Sequence, residues 1–314
     1  MRALGAALRL VFWRTLEAAF VVLVMATLVF FALRLLPGDP ARLLLGDQAS
    51  AADLSALRAE LGLDRPMYVQ YARFLKGLFT LDLGPSLRHP GQGAAALVTR
   101  ALGPTSALAA VSVVLASIGG TLAAVLAAGP FLGERRVWVE RAAVAIASTP
   151  LLSFAPLVTY ALAVRLRVAP LPGDPEAGFS GLMLASSLLA LPLAAHVARV
   201  GRAALDDVAH AQFLSVARAK GASAARTWLF HALPPSLGPI LAVVASQLGA
   251  LLGGAVVLER LFERPGLGTL ILEAYAARDM PVLEAAIVAA GALFVVVQAI
   301  AAAAHAAFDP RVRA

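Results

Sequence analysis

Two residues have the types that a covalent hydrolase uses. Ser180 stands in Gly178-Phe-Ser180-Gly181, and His305 stands in the last apolar run of the chain. A serine becomes a nucleophile when a histidine within hydrogen-bond reach takes its proton, so this pair is the least that such chemistry requires. Against it, Gly-x-Ser-Gly is short, the chain is rich in Ala, Gly and Ser, and Ser180 lies at the mouth of an apolar run. Other chemistries lack parts outright. There is no cysteine, which excludes disulfides, zinc–thiolate sites and cysteine nucleophiles. No His-Glu-x-x-His zinc site occurs. Lys76 and Lys220 are the only lysines, and neither stands in the G-x-x-x-x-G-K-[ST] string whose amides and Lys cradle phosphates. The chain therefore does not hydrolyse ATP by that route. Any ATP-driven work falls to a separate subunit.

The elements that must position these residues are membrane spans. The chain is 60% hydrophobic and 14% charged, against roughly 45–50% apolar residues in soluble domains. The apolar residues come in long runs, so the reading is an all-α, polytopic membrane protein. Net charge is +7. Its basic residues are spread along the segments flanking the runs, which favours a membrane over a nucleic-acid partner.

Six transmembrane helices are predicted, at about 16–36, 104–129, 142–164, 180–200, 237–258 and 283–307. About 20 apolar residues at 1.5 Å each cross a bilayer core. The first run is too long for a signal peptide and lacks an evident cleavage site after it, so it reads as an uncleaved span. Pro150, Pro156 and Pro192 fall inside spans, where neighbours can satisfy the freed carbonyls. Gly249-x-x-x-Gly253 invites close helix packing. The chain divides into 1–36, the N-terminal segment and first span; 37–103, a long external helical loop; and 104–314, a transmembrane core. In the long loop, Ser50 to Asp53 forms a capping box and Gly62 a helix stop. Pro66 opens a second helix, with Tyr68, Tyr71 and Leu75 on one side. With the N-terminus inside, the inner segments carry a net +8 and the outer ones 0. Both termini are therefore predicted cytoplasmic, as is a polar loop at about 203–236.

That loop carries the sharpest pattern. Ala211 to Lys220 reads as a short helix with Phe213, Ala217 and Lys220 on one face. Gly221 suits a left-handed helix stop, Ser223 caps a second helix from Ala224 to Leu233, and Pro234-Pro235 ends it. The arrangement resembles the cytoplasmic coupling loop of binding-protein-dependent ABC transporter permeases, whose signature is E-A-A-x3-G-x9-I-x-L-P. Ala217, Gly221, Leu233 and Pro234 fall at the matching positions. Ser215, Val216 and His231 depart from it. The form Ala217-Arg-Ala-Lys-Gly221 resembles the dipeptide/oligopeptide/nickel branch. So do Gly62-Leu-Asp-Arg-Pro66 through Leu81-Asp-Leu-Gly84-x-Ser86, the stretch from Glu259 through Pro265-Gly-Leu-Gly268 to Arg278-Asp279-x-Pro281, and Asp309-Pro-Arg-x-Arg313.

The resemblance implies a six-span permease subunit of an ATP-driven importer, by default for peptides, with nickel or another solute as the alternative. It implies a homologous second permease, commonly distinct from this one, two ATPase subunits that hold ATP-Mg, and an extracytoplasmic solute-binding protein. The long external loop resembles that of the B-type subunit and is either a cap over the helices or a docking surface for that protein. The coupling residues implied are Phe213, Ala217, Arg218, Ala219, Lys220, Gly221, Ser223, Leu233 and Pro234. Phe213 and Ala217 supply the apolar contact, Arg218 and Lys220 the polar one. The simpler reading is an interfacial helix resting its cations on anionic membrane lipid. Two other readings compete. Gly178–Gly181 with His305 is similar to a rhomboid-type intramembrane serine protease. A secondary transporter would need deep ionisable groups, and Gln247 and Gln298 are the deepest polar residues expected, with no acid beside them.

Overall fold

The structure is a computed structural model that describes residues 2–35, 40–45 and 49–308. Helices account for most of it, and among the described residues the sole strand-like feature is one antiparallel bridge, Pro85 to Gly93. In order, the helices are α1 Arg2–Arg34, α2 Pro40–Leu45, α3 Ala51–Leu61, α4 Met67–Thr80, α5 Ala94–Ala128, α6 Arg136–Ser148, α7 Leu151–Thr159, α8 Gly178–Ala209, α9 Gln212–Ala219, α10 Ala224–Arg226, α11 Leu233–Leu261, α12 Leu267–Ala276 and α13 Met280–Phe308. Wide, i→i+5 turns continue α7 over Tyr160–Arg165 and join α10 to α11 over Thr227–Ala232. Among the described residues, five helices are long and apolar enough to cross a membrane, and α6 with α7 makes a sixth if the pair counts as one span.

That third span is not the single helix expected over 142–164. Its halves are bent by 112°. The cause is Pro150, whose ring drives the preceding residue out of the helical region. Thr149 is extended at ψ 124°, and Pro150 caps α7 instead of lying inside a span. Pro156 and Pro192 do sit within α7 and α8.

The chain forms two units. One comprises Met1–Thr105 and Pro265–Val296. In it, Ser50 caps α3 by accepting from the Asp53 N–H at 3.1 Å, and Gly62 closes it at φ 68°. Helix α4 packs Phe74, Tyr71, Leu75 and Leu78 against Ala26 and Phe30 of α1. Tyr68, expected on that side, is exposed. Gly291 of α13 lies against Met25 of α1, so closely that a Cβ would meet the sulfur. Arg34, at the end of α1, stacks over Phe30 at 3.4 Å and donates to Glu284 of α13 at 2.5 Å.

The other unit, Ser106–Arg264 and Val297–Ala314, is built on α8. Glycines set its closest approaches. Gly120 of α5 lies against Ala194 and Val197, Gly201 against Ala124 and Ile240, and Gly254 of α11 against Leu189 and Leu151. Among the described residues of this chain the expected Gly249-x-x-x-Gly253 pair makes no close helix contact: both residues are exposed, and nothing lies within 4 Å of a Cβ at Gly253. The next residue does the packing. On a helix apolar all round, composition does not say which small residue faces inward.

Candidate functional site

The polar turn between α8 and α11 is built from the inside out. Helix α9 has two sides. Leu214 is fully buried among Leu205, Trp228, Ala232, Ala124 and Val125. Phe213 and Val216 stand out, about half exposed, with Arg218, Ala219 and Lys220 exposed beside them and Ala217 half-buried. Phe213 and Val216 thus form an exposed apolar pair flanked by cations, on a helix anchored from behind.

The end of α9 is fixed by its backbone. Gly221 is left-handed at φ 85°, with open space where a Cβ would be. Ala222 N–H donates to Ala217 C=O at 3.1 Å and Gly221 N–H to Arg218 C=O at 2.9 Å. This double bond pattern closes a helix around a left-handed glycine. Ser223 then caps α10, its hydroxyl accepting from Arg226 N–H at 3.4 Å.

The second short helix does not end at Pro234-Pro235. The chain stays helical from Ala224 to Leu261, and both prolines lie in the first turn of α11. Proline is tolerated there because the wide turn before it has already left the regular register. The wide turn before them absorbs the missing donors, with Leu233 N–H bonding to Trp228 C=O. Leu233 is half-buried and Pro234 exposed. Ser236 ties this turn to α8 by donating to Ala204 C=O at 3.2 Å and Ala232 C=O at 3.0 Å.

Sequence reading missed Leu214 and Trp228, the anchors of this turn, and Val216, which shares the exposed side with Phe213. The signal was present: three apolar residues, Phe213, Leu214 and Val216, crowd a short polar helix that needs one of them inside.

A second cluster lies in the other unit. The turn from Gly84 to Ala94 is closed by Ser86 N–H to Gln92 C=O and Ala94 N–H to Gly84 C=O. The Ser86 hydroxyl donates to Asp279 at 2.5 Å, and the same carboxylate oxygen accepts from Arg88 N–H at 3.2 Å. Asp279 is only 2% exposed. Thus two strings far apart in sequence meet through their polar residues. The stretch 259–284 contains α12. Its first N–H, from Leu267, donates to Thr105 Oγ1 at 2.8 Å. A cleft of about 410 Å³ opens beside Asp279, lined by exposed Arg88, His89 and Glu273 over Leu270 and Val282.

Ser180 lies in the first turn of α8, and its hydroxyl donates to Ala177 C=O at 2.7 Å. That is a helix-end bond, with the proton committed to backbone. The His305 side chain and the Asp309–Arg313 string lie outside the described residues. Gln247 and Gln298 are half-buried. Among the described residues the buried acids are Glu259, Asp279 and Glu284, none of them foreseen as such.

Comparison with known proteins gives concordant matches. Residues 119–314 match the family described as binding-protein-dependent transport system inner membrane component, and 7–95 match the N-terminal region of such membrane components. The glutathione transport system permease protein GsiC of Escherichia coli (strain K12) is 33% identical over 294 residues, 92% of this chain and 94% of that protein. A putative peptide transport system permease protein of Brucella abortus (strain 2308) is 34% identical over 318 residues, 97% and 98% of the two chains. A crystal structure of an amino acid ABC transporter with histidines superposes with a TM-score of 0.51 at 18% identity, covering 69% of this chain and 94% of that one. At that identity the likeness speaks for the fold.

Proposed function

The chain belongs to the binding-protein-dependent transport system inner membrane components and is a multi-pass permease subunit of an ABC importer; from that premise we propose that it imports small peptides and that the α9 turn is its contact with the ATPase. The names of the glutathione and peptide permeases, similar over nearly the whole chain, support the substrate class. One observation supports the contact: α9 is anchored by buried Leu214, yet it presents Phe213, Val216, Arg218 and Lys220 outward.

The mechanism follows from that geometry. Phe213 enters an apolar groove of the ATPase, and Arg218 and Lys220 meet acidic groups at its rim. Closure of two ATPase subunits, which hold ATP-Mg, pushes α9 as a rigid body. Leu214 against Trp228 carries the push into α11. On this reading the turn and both termini are cytoplasmic. A second, homologous permease completes the pathway. A solute-binding protein docks outside, on the charged cleft of Arg88, His89 and Glu273.

The test is purification of the tagged chain from native membranes with its partners. ATPase subunits and a second permease co-purify with the parent chain. With Phe213→Asp, the ATPase yield falls about tenfold, as expected when a desolvated aromatic anchor is replaced by a charge. Uptake of radiolabelled glutathione and alanyl-alanine by proteoliposomes of the full assembly and its binding protein tests the substrate class. Uptake of Ni²⁺ in place of both would move the chain to the metal side of the family.

A further inference from the structure

The helix that leaves the α9 turn is irregular in a specific way. From Thr227 to Ala232 it makes wide, i→i+5 turns. Thr227, Trp228 and Ala232 are buried while Leu229, Phe230 and His231 face out. In a regular α-helix, five residues turn the chain to about 140° out of phase. Thr227 and Ala232 share one side because the turn is wide. Directly after it, Pro234 and Pro235 supply no N–H, so α-register bonds to the carbonyls of Phe230 and His231 cannot form. The i→i+5 bonds to Leu229 and Phe230 are lost for the same reason, so neither register is continued by backbone bonding past Leu233 and the two lie close in energy here.

A second observation lies at the same place. The Thr227 hydroxyl is buried and has no hydrogen-bond partner. Other helical hydroxyls, those of Thr27, Thr80, Thr99 and Ser112, bond to the carbonyl four residues back. The same pairing recurs in the broken span. Thr159, also buried and partnerless, immediately precedes the wide turn Tyr160–Arg165, whose end bonds Leu166 N–H to Ala161 C=O at 2.9 Å. A buried hydroxyl left unbonded is an energetic cost, and such costs collect where a second arrangement is used.

We propose that Thr227–Ala232 is the transducing element of this permease, switching between the wide register and a tighter one as α9 is pushed. The switch turns α11 about its own axis, and Thr227 gains the partner it lacks here. This rests on the reading of α9 as the ATPase contact. Thr227 is a positioning residue that acts through α11.

The experiment compares hydrogen exchange of the full reconstituted transporter without nucleotide and with ATP plus vanadate. Exchange across 227–235 changes between the two states if the register switches, and identical exchange overturns the proposal. A deletion sharpens the test. Removing exposed Phe230 puts Ala232 four residues after Thr227, where a regular α-helix keeps both buried. That variant should assemble and hydrolyse ATP, while uptake of alanyl-alanine falls about tenfold or more. Unchanged uptake overturns the switch. If the deletion fails to assemble, the exchange comparison on the unaltered transporter decides. Thr227→Val removes the hydroxyl at similar shape; an unchanged or raised Tm with reduced uptake fits, and a lowered Tm shows a bonded hydroxyl and counts against the proposal. Failure of the underlying reading looks different: Phe213→Asp then keeps both ATPase and uptake. Loss of both in Phe213→Asp beside a silent deletion sinks the switch alone.

Discussion

The α9 turn and the Ser86–Asp279 cluster both carry polar strings that resemble the same family, yet they are built in opposite ways. At Asp279 itself the polar groups are used up, although the Arg88, His89 and Glu273 side chains of the neighbouring cleft stay exposed. One buried carboxylate accepts from the Ser86 hydroxyl and the Arg88 amide and lies at the start of α13, 3.5 Å from Val282 N–H. Around α9 the backbone is fixed, and the side chains Phe213, Arg218 and Lys220 are left to solvent. A motif whose polar groups are spent on its own chain holds a shape. A motif that leaves its side chains unspent on an anchored helix keeps them available to a partner, which is the reading proposed for α9. Exposure beside a rigid backbone therefore separates contact from scaffold better than the motif itself does.

The largest effect is expected at Asp279. Asp279→Ala leaves a hydroxyl and an amide without their acceptor in a buried place. Lost hydrogen bonds to a charged group cost about 1.5–3 kcal/mol. The expected outcome is a clear drop in Tm and in membrane yield, with any loss of uptake tracking the amount of folded protein. Normal yield with selective loss of uptake would recast this cluster as a contact site.

Gly221→Val comes next and should separate folding from coupling. A Cβ at Gly221 meets open space, so only its φ of 85° opposes a side chain. A left-handed β-branched residue costs on the order of 1–2 kcal/mol. The chain should reach the membrane at near-normal levels, while uptake is lost because α9 leaves its trajectory. Gly221→Asn is the control, since asparagine tolerates this region, and it should retain most of the uptake. Full uptake by the valine variant at normal levels would remove the fixed helix end from the argument.

These two sites also show what was legible in the sequence. Local chemistry read well. Ser50, Gly62, Gly221 and Ser223 all stand at helix ends, because caps depend on a few neighbouring residues. The spans were legible by length, though α5 begins ten residues before the expected 104 and α8 runs on to Ala209. What failed was tertiary. Nothing in the string says that Gly254 packs and Gly253 does not, or that Ser86 reaches Asp279. Those facts depend on which side of each helix meets another, and the spacing of apolar residues is a weak guide to that when lipid and core are both apolar. Proline departs from the sequence expectation at two places, in opposite directions. At Pro150 it broke a span that was read as continuous, and at Pro234-Pro235 it sat inside a helix that was read as ended. The difference is what precedes it. Thr149 went extended, whereas the wide turn at Thr227–Ala232 had already surrendered its regular register.

The smallest expected effect belongs to Ser180. Its pattern matches a nucleophile, but its hydroxyl donates to Ala177 C=O at 2.7 Å, three residues back at the start of α8. A nucleophile must give its proton to a base in the reacting geometry; this one gives it to a backbone carbonyl. Like Asp279, Ser180 is spent on its own chain and belongs with the scaffold. It is exposed, so the bond it would lose is replaced by water at a cost of about 0.5–1 kcal/mol at most. Ser180→Ala should therefore leave uptake by the assembled transporter within about twofold of the parent and shift Tm little. A casein or transmembrane-peptide cleavage assay on the purified chain should show no activity that the substitution removes. Cleavage that disappears with Ser180→Ala would mean that a hydroxyl bonded to its own helix end can still be freed for chemistry, and the rule separating spent from unspent side chains would need a dynamic term.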